Sequence, residues 1–301
     1  MSVKIYFNFK KRANLKIDNN SSGKQGFVLK GNNGSTIILI HGLTGTPHEM
    51  SFLARFFNSR GYSVICPLLA NHDQPMEILK DTQWQDCYQS VRDAFVKNTS
   101  ENGKVFVSGL SMGALLSLLL ADEFPERIAA VSCLSPTLFY DGWNAPWYRC
   151  FLPLVSRTFL KHFFYFKEDP PYGIKNEQLR MLVHKYYSHA RISDMKGVTR
   201  HGYPYFPVTL LFQLNLLVKY LLKRLGGIDT PLQLIQAKDD DVTSVKNSQF
   251  IYDRIKSEMK EIVLLYDSYH IITADQERDK VAEAMEGFFR RVGKDSKNAC
   301  N

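Results

Sequence analysis

The sequence predicts an α/β fold in which a mostly parallel central sheet is covered by helices on both faces. Uninterrupted apolar runs such as STIILI at 35–40 and IAAVSCL at 128–134 recur along the chain, and amphipathic stretches lie between them. Strands buried on both faces of a parallel sheet have this composition, and helices connect them. With 301 residues, of which 45% are hydrophobic, the chain can form one large domain with an insertion.

The first part of the chain alternates between strands and helices up to residue 97. Short β-rich runs predict two leading strands, and the apolar run that ends at His41-Gly42 predicts a buried third strand. Helical spacing of apolar residues predicts two helices, the first of which is stopped by Gly61. In chain order the predicted elements are strands at 4–10, 26–30 and 35–40, a helix at 49–60, a strand at 63–69 and a helix at 84–97.

The next strand and helix enclose the most informative motif, Gly109-Leu110-Ser111-Met112-Gly113. An apolar, β-rich run at 104–110 predicts the strand, and the apolar run at 112–121 predicts a buried helix. A serine hydroxyl is a weak nucleophile that must project towards a base, and a sharp turn with flanking glycines allows this. G-x-S-x-G between a strand and a helix is the nucleophile elbow of α/β-hydrolases, so Ser111 is the predicted nucleophile. The alternative is a glycine-rich turn with an idle serine.

Residues 137–228 interrupt the alternation and are rich in aromatic side chains. A stripe of apolar residues four apart predicts one helix, and two more helices are predicted at 176–187 and 208–225. We interpret 137–228 as a helical cap inserted after the sixth strand of a catalytic core formed by 1–136 and 229–301. The stripe consists of Phe151, Val155, Phe159 and Phe163.

Most aromatic residues of the cap are expected to pack the cap onto the core. A minority are expected to line an apolar acyl tunnel above Ser111, because ligand pockets are lined mainly by apolar and aromatic side chains. Phe151, Phe159 and Phe163 are the predicted substrate-binding residues of this kind.

The last part of the chain returns to the alternation and supplies candidates for an acid and a base. The predicted strand at 231–237 runs into Asp239-Asp240-Asp241, and the one at 261–266 runs into Asp267-Ser268-Tyr269-His270. Helices are predicted at 245–255 and 276–291. In α/β-hydrolases the acid and then the base follow the nucleophile in the chain, so His270 is the predicted base. One of the three aspartates would orient it, and the residues alone do not choose among them.

A glycine-rich loop follows the strand STIILI and reads His41-Gly42-Leu43-Thr44-Gly45-Thr46-Pro47. Such a loop can turn a backbone N–H group towards the serine. Leu43 and Met112, the residue after the nucleophile, are therefore the predicted backbone donors of a two-donor oxyanion hole. His41 is interpreted as a structural histidine that bonds the loop rather than as a second base.

Together, HGLTGTP, GLSMG, the late aspartate and SYHIITADQERD resemble bacterial carboxylesterases and the related bacterial monoacylglycerol lipases of the α/β-hydrolase superfamily. The resemblance extends from about Ile37 to Phe289 and is weaker in the cap. It implies Ser111 as nucleophile, His270 as base, and the amides of Leu43 and Met112 as the oxyanion hole. The family's acid stands two places before an apolar residue, which favours Asp240, with Asp239 and Asp241 as alternatives.

Composition narrows the class of protein further. The net charge is +8, but lysines and arginines are scattered, which predicts a solvated basic surface and no nucleic-acid partner. A weak peripheral contact of the cap with membrane or lipid is an alternative use of that charge. Five cysteines without metal-ligand spacing and the absence of an apolar leader run predict free thiols and a cytoplasmic protein.

The sequence therefore predicts a serine esterase or lipase that acts on a small-molecule acyl ester of medium or long chain through an acyl-enzyme. The chemistry requires no cofactor and no metal. A thioesterase or an acyltransferase would use the same triad. A non-catalytic α/β-hydrolase binding module is the alternative from another class, and the intact Ser/Asp/His set argues against it.

Overall fold

A seven-stranded sheet, mostly parallel, forms the centre of the computed structural model, which describes residues 26–100, 103–145, 158–188 and 202–298. Its strand order is β1-β3-β2-β4-β5-β8-β9, in which only the β1–β3 pair is antiparallel. The strands are β1 (Phe27–Leu29), β2 (Ser35–Ile40), β3 (Ser63–Cys66), β4 (Lys104–Leu110), β5 (Ile128–Leu134), β8 (Leu232–Ala237) and β9 (Lys260–Leu265). The predicted α/β fold is thereby confirmed, while the predicted strand at 4–10 lies outside the described residues.

Helices cover both faces of this sheet. On one face, α4 (Met112–Glu123) is apolar all round because it packs between the sheet and the neighbouring helices α3 (Trp84–Asn98) and α6 (Val208–Leu222). On the other face, α1 and α8 pack together, with Phe57 and Phe289 between them and the sheet. The core helices are α1 (Ser51–Asn58), α2 (Met76–Leu79), α3 (Trp84–Asn98), α4 (Met112–Glu123), α7 (Lys246–Arg254) and α8 (Arg278–Asn298).

The chain between β5 and β8 differs from the predicted all-helical cap. It contains a small antiparallel pair, β6 (Tyr165–Lys167) with β7 (Tyr205–Pro207), besides helices α5 (Glu177–Ser188) and α6 (Val208–Leu222). Each of these strands has three residues, too few for the period-two pattern that reveals a strand in a sequence. Phe159 begins a 3-10 helix that ends at His162, and Phe151 and Val155 lie outside the described residues.

Helix α6 packs into the core rather than standing above it. Its buried residues Leu214, Leu217 and Leu221 belong to the same apolar cluster as α4. The division into a core and a cap at 137–228 therefore stays a proposal. None of the described helices is long and apolar enough to cross a bilayer.

The predicted free thiols are confirmed for three cysteines, Cys66, Cys87 and Cys133, which are buried and free. Burial raises the pKa of each thiol, so these side chains serve as small apolar residues of the core.

Candidate active site

Ser111 occupies a strained turn between β4 and α4. Its backbone angles, φ 57° and ψ −114°, are ones that a residue with a side chain rarely adopts, and its N–H donates to the Leu134 carbonyl at 2.8 Å. A Cβ atom on Gly109 would lie 2.2 Å from the backbone of Gly113, and one on Gly113 would lie 2.3 Å from the carbonyl oxygen of Ile40. The two glycines thus let the turn, the helix and β2 approach one another closely enough to project the serine.

Asp240 and His270 are in direct contact at the ends of β8 and β9. The Nδ1 atom of His270 lies 2.9 Å from Oδ2 and 3.1 Å from Oδ1 of Asp240, and both side chains are buried. Burial lowers the pKa of His270, but the charge of Asp240 and its hydrogen bond, with Asp241 and Glu49, outweigh burial and raise it above 6.5. The pair is therefore built to stabilise a proton on the imidazole.

The three adjacent aspartates have different surroundings. Asp240 also accepts hydrogen bonds from the Val242 and Thr243 amides, each at 2.8 Å, and from Gln236 Nε2 at 2.7 Å. The carboxylate of Asp241 accepts from the backbone amides of Gly173 and His270, and burial raises its pKa to about 6. Asp239 is exposed, and its carbonyl oxygen accepts from the Trp143 indole. Of the three side chains, that of Asp240 is the one that contacts the His270 ring.

The predicted oxyanion loop is held by two buried histidines. His72 Nε2 lies 2.7 Å from the Leu43 carbonyl oxygen, and its Nδ1 lies 2.9 Å from that of Ala70. His41 accepts from the Leu69 amide through Nε2 and contacts the Gly42 carbonyl through Nδ1. Burial and the neighbouring His72 hold the pKa of His41 well below 6.5, so it is a neutral loop anchor. Among the described residues, no protein acceptor takes the Leu43 or Met112 amide.

Two glutamates, neither of which the sequence analysis predicted, brace the same loop. Glu49 Oε2 accepts from the Gly42 amide at 3.1 Å, and Glu168 Oε1 accepts from the Thr44 hydroxyl at 3.3 Å. Burial raises the pKa of Glu49 to about 7, and burial together with the charge of Glu49 raises that of Glu168 to about 8. No motif marks these positions, since a lone glutamate in a loop is usually solvated.

A short segment of the insertion, residues 173–176, is bonded across the loop that carries His270. We call it the strap. The Ile271 amide donates to the Gly173 carbonyl at 2.8 Å, and Asp241 accepts from the amides of Gly173 at 3.1 Å and His270 at 3.4 Å. Asp275 accepts from the amides of two strap residues and of Tyr269, each at 2.8 Å. The predicted base is therefore fixed to the insertion through two buried carboxylates.

A cavity of about 200 Å³ lies over Ser111 and His270. One part of its lining is apolar and another is polar, the latter including Glu49 and Glu168. The apolar and aromatic lining residues include Leu43, Tyr140, Phe166, Phe206, Leu211 and Val242. Such a cavity can take a molecule with a hydrocarbon end and a hydroxylated end.

Of the predicted site residues, Leu43, Ser111 and His270 line this cavity, whereas Met112 is buried at the start of α4 and the predicted aromatic residues lie elsewhere or outside the described residues. Phe159 is 74% exposed and contacts Phe163, and neither is among the described residues that line the cavity. Phe151 lies outside the described residues. The aromatic residues that do line the cavity include Phe166 and Phe206, which the pairing of β6 with β7 brings there, and sequence spacing cannot reveal a pairing between distant segments.

The Ser111 hydroxyl makes a contact that the sequence did not predict. Its Oγ lies 2.8 Å from Oγ1 of Thr137, a buried residue three places after the end of β5. This hydroxyl pair gives the Ser111 side chain a hydrogen-bond partner at the end of β5, within the cavity that His270 also lines.

Comparison with known proteins identifies the family of this chain. The sequence pattern of the family described as serine aminopeptidase, S33, matches residues 31–277. The chain belongs to this family. With its relatives, this membership confirms the predicted resemblance and shows an ester hydrolase of the α/β-hydrolase superfamily.

Two curated relatives match across most of the chain. A thermostable monoacylglycerol lipase of Bacillus sp. (strain H-257) is 28% identical over 255 residues, which cover 85% of this chain and 90% of the relative. A carboxylesterase of Bacillus subtilis (strain 168) is 25% identical over 272 residues, 88% of this chain and 96% of the relative. A solved structure from LipS and LipT, two metagenome-derived lipolytic enzymes, superposes with a TM-score of 0.73 at 25% identity, covering 90% and 98% of the two chains.

Proposed function

We propose that this chain hydrolyses medium- or long-chain carboxylic esters, such as monoacylglycerols, through an acyl-enzyme at Ser111. The observation that carries the proposal is the buried Asp240–His270 pair, 2.9 Å apart, at the cavity where the strained turn presents Ser111. The names of the two Bacillus relatives, a monoacylglycerol lipase and a carboxylesterase, support the substrate class.

In the proposed reaction the Ser111 hydroxyl turns from Thr137 to His270 Nε2 and gives up its proton as it attacks the ester carbonyl. Asp240 keeps the proton on His270 Nδ1 and stabilises the imidazolium. The amides of Leu43 and Met112 bind the negative oxygen of the tetrahedral intermediate. The intermediate collapses, His270 protonates the departing alcohol, and water then hydrolyses the acyl-enzyme by the same steps.

The nucleophile is tested by labelling with a fluorophosphonate. One residue, Ser111, should carry the label, and Ser111→Ala should abolish it and reduce ester turnover to about 10³-fold above the uncatalysed rate. The matched control is Ser59→Ala, because Ser59 is exposed and distant in the chain and should leave labelling unchanged. Labelling that persists in Ser111→Ala would refute the mechanism.

The substrate class is tested with p-nitrophenyl esters of increasing acyl length. Each methylene that the apolar side of the cavity buries contributes about 0.8 kcal/mol, so kcat/KM should rise about fourfold per methylene until the cavity is filled. Phe206→Ala and Leu211→Ala should flatten this dependence and leave the acetate ester nearly unaffected. Phe159→Ala is the control, since that side chain is 74% exposed. A profile that peaks at acetate would instead indicate a small-ester carboxylesterase.

A further inference from the structure

A second cavity, of about 230 Å³, adjoins the polar end of the first. The two share residues beside the oxyanion loop, whereas the apolar residues Phe206, Leu211 and Val242 line only the first. The second cavity therefore meets the first at Glu49 and Glu168 rather than at those three residues, and its own lining also includes apolar side chains such as Ile174, Leu179 and Val183. The shared residues are Thr44, Glu49, Glu168, Tyr172 and Ile271.

Where the second cavity meets the first, Glu49 and Glu168 offer hydrogen-bonding groups rather than two full negative charges. Burial and the charge of Glu49 raise the pKa of Glu168 to about 8, and burial raises that of Glu49 to about 7. Near neutral pH the two carboxyl groups thus retain at least one proton between them. Such a pair accepts hydrogen bonds from an alcohol and can donate one, with limited repulsion of an anion nearby.

The outer end is basic. Arg55 and Arg278 line it, and both are exposed. Among the described residues Arg55 makes no ion pair within 4 Å, and the partner of Arg278 is its neighbour Asp279, at 4.0 Å. Exposed arginines elsewhere vary in this respect: Arg60 and Arg92 pair with glutamates at 2.8 and 2.7 Å, whereas Arg290 lies 4.0 Å from its glutamate. The guanidinium of Arg278 also lies 4.6 Å from the ring of Phe52, another residue of this lining.

We propose that the second cavity binds the alcohol part of the ester, with a hydroxyl at Glu49 and Glu168 and an anionic group at Arg55 and Arg278. The inference rests on the proposed function and narrows its substrate class to acyl esters of an alcohol that bears a phosphate or a carboxylate. Guanidinium groups suit either anion because their fork of donors matches its oxygens. The chemistry at Ser111 is unchanged, since the alcohol leaves with the proton from His270.

The test compares three soluble esters below their critical micelle concentrations: 1-octanoylglycerol, its 3-phosphate, and the octanoyl ester of glyceric acid. At least one of the two anionic esters should have a higher kcat/KM than the neutral one. The anionic ester with the higher value shows whether the cavity prefers a phosphate or a carboxylate. In the double variant Arg55→Gln/Arg278→Gln, kcat/KM for that ester should fall about tenfold, as expected for two exposed charge pairs, and the neutral ester should change by less than about twofold.

The control is the double variant Arg60→Gln/Arg92→Gln, which removes the same net charge at positions that do not line the cavity. It should leave the ratios of kcat/KM among the three esters unchanged. A neutral ester that is preferred, or a loss that is equal for the three esters, would overturn the inference. Either result would leave hydrolysis and Ser111 labelling intact, whereas failure of the proposed function would abolish both. The two failures are therefore distinguishable.

Discussion

The three neighbouring aspartates differ in what their carboxylates contact, and each should respond differently to loss of charge. Asp240→Asn should lower kcat on the order of 10⁴-fold, because an amide opposite His270 Nδ1 favours the wrong tautomer. Asp239→Asn should leave kcat nearly unchanged, since its side chain is exposed. Steady-state kinetics on one ester would check both values. A large loss at Asp239 with a small one at Asp240 would show that the acid is misassigned.

The pH dependence of kcat/KM should report the charges around His270. The imidazole must be neutral to act as a base, so activity should fall as the pH drops through its pKa, which is raised above 6.5. Asp240, Asp241 and Glu49 all favour the charged ring. Asp241→Asn removes one of these charges, so the acid limb of the profile should move to lower pH. A loss of kcat without movement of the limb would indicate that Asp241 acts through the backbone alone.

Individual site residues could be predicted from the sequence where they follow a predicted strand and have a known catalytic role. Residues that only the tertiary fold brings to the site could not be predicted. Ser111 follows the buried strand β4 within a recognisable motif, and His270 follows β9 in the expected chain order. Glu49 lies in a short 3-10 helix, Thr137 follows β5 and Glu168 follows β6, and no local pattern marks any of the three as part of the site. The choice among the aspartates likewise depends on which carboxylate the loop turns inward, which is a tertiary property.

The turn at Ser111 requires a close approach between α4 and β2, and this approach can be tested by substitution of Gly113. Gly113→Ala should destabilise the protein by about 1–3 kcal/mol and reduce activity, because the added Cβ would lie 2.3 Å from the Ile40 carbonyl oxygen. Gly287→Ala in α8 is the matched control, since the nearest atom to its Cβ would be 3.8 Å away. That change should stabilise the protein by about 0.5–1 kcal/mol. Urea unfolding would measure both, and equal effects would contradict the packing argument.

Long buried strands and helices could be predicted because each contains an apolar run that is longer than average composition would produce by chance. Strands β2, β4 and β5 match the prediction to the residue, and α3 and α4 lie within two residues of it. The insertion was less predictable. Its helix α6 was found, but β6 and β7 pair across nearly forty residues, and the packing of α6 on α4 depends on a surface that the sequence does not display.

The buried carboxyl group of Glu168 makes the stability of the whole molecule depend on pH. Glu168 has a pKa of about 8 in the folded protein and an ordinary one near 4.5 when unfolded. The folded state therefore binds more protons between these values, and this residue's contribution to the free energy of unfolding falls as the pH rises through that window. Glu168→Gln should raise Tm relative to the unchanged protein by a few degrees more at pH 9 than at pH 5.

The control for that measurement is Glu258→Gln, a change of the same charge at an exposed position. It should shift Tm equally at both pH values. If Glu168→Gln behaves in the same way, the carboxyl group is solvated in the folded protein and the interpretation of its surroundings is wrong.

The strap gives the molecule a cooperative unit that crosses the boundary between insertion and core. Amide groups of Gly173, Lys175, Asn176, Tyr269 and Ile271 all depend on the same set of hydrogen bonds. Local openings occur in contiguous units that share a free energy, so hydrogen exchange in deuterated solvent should give these amides one common free energy of opening. His270 lies between Tyr269 and Ile271, so the same free energy of opening should govern how long the base stays at the cavity.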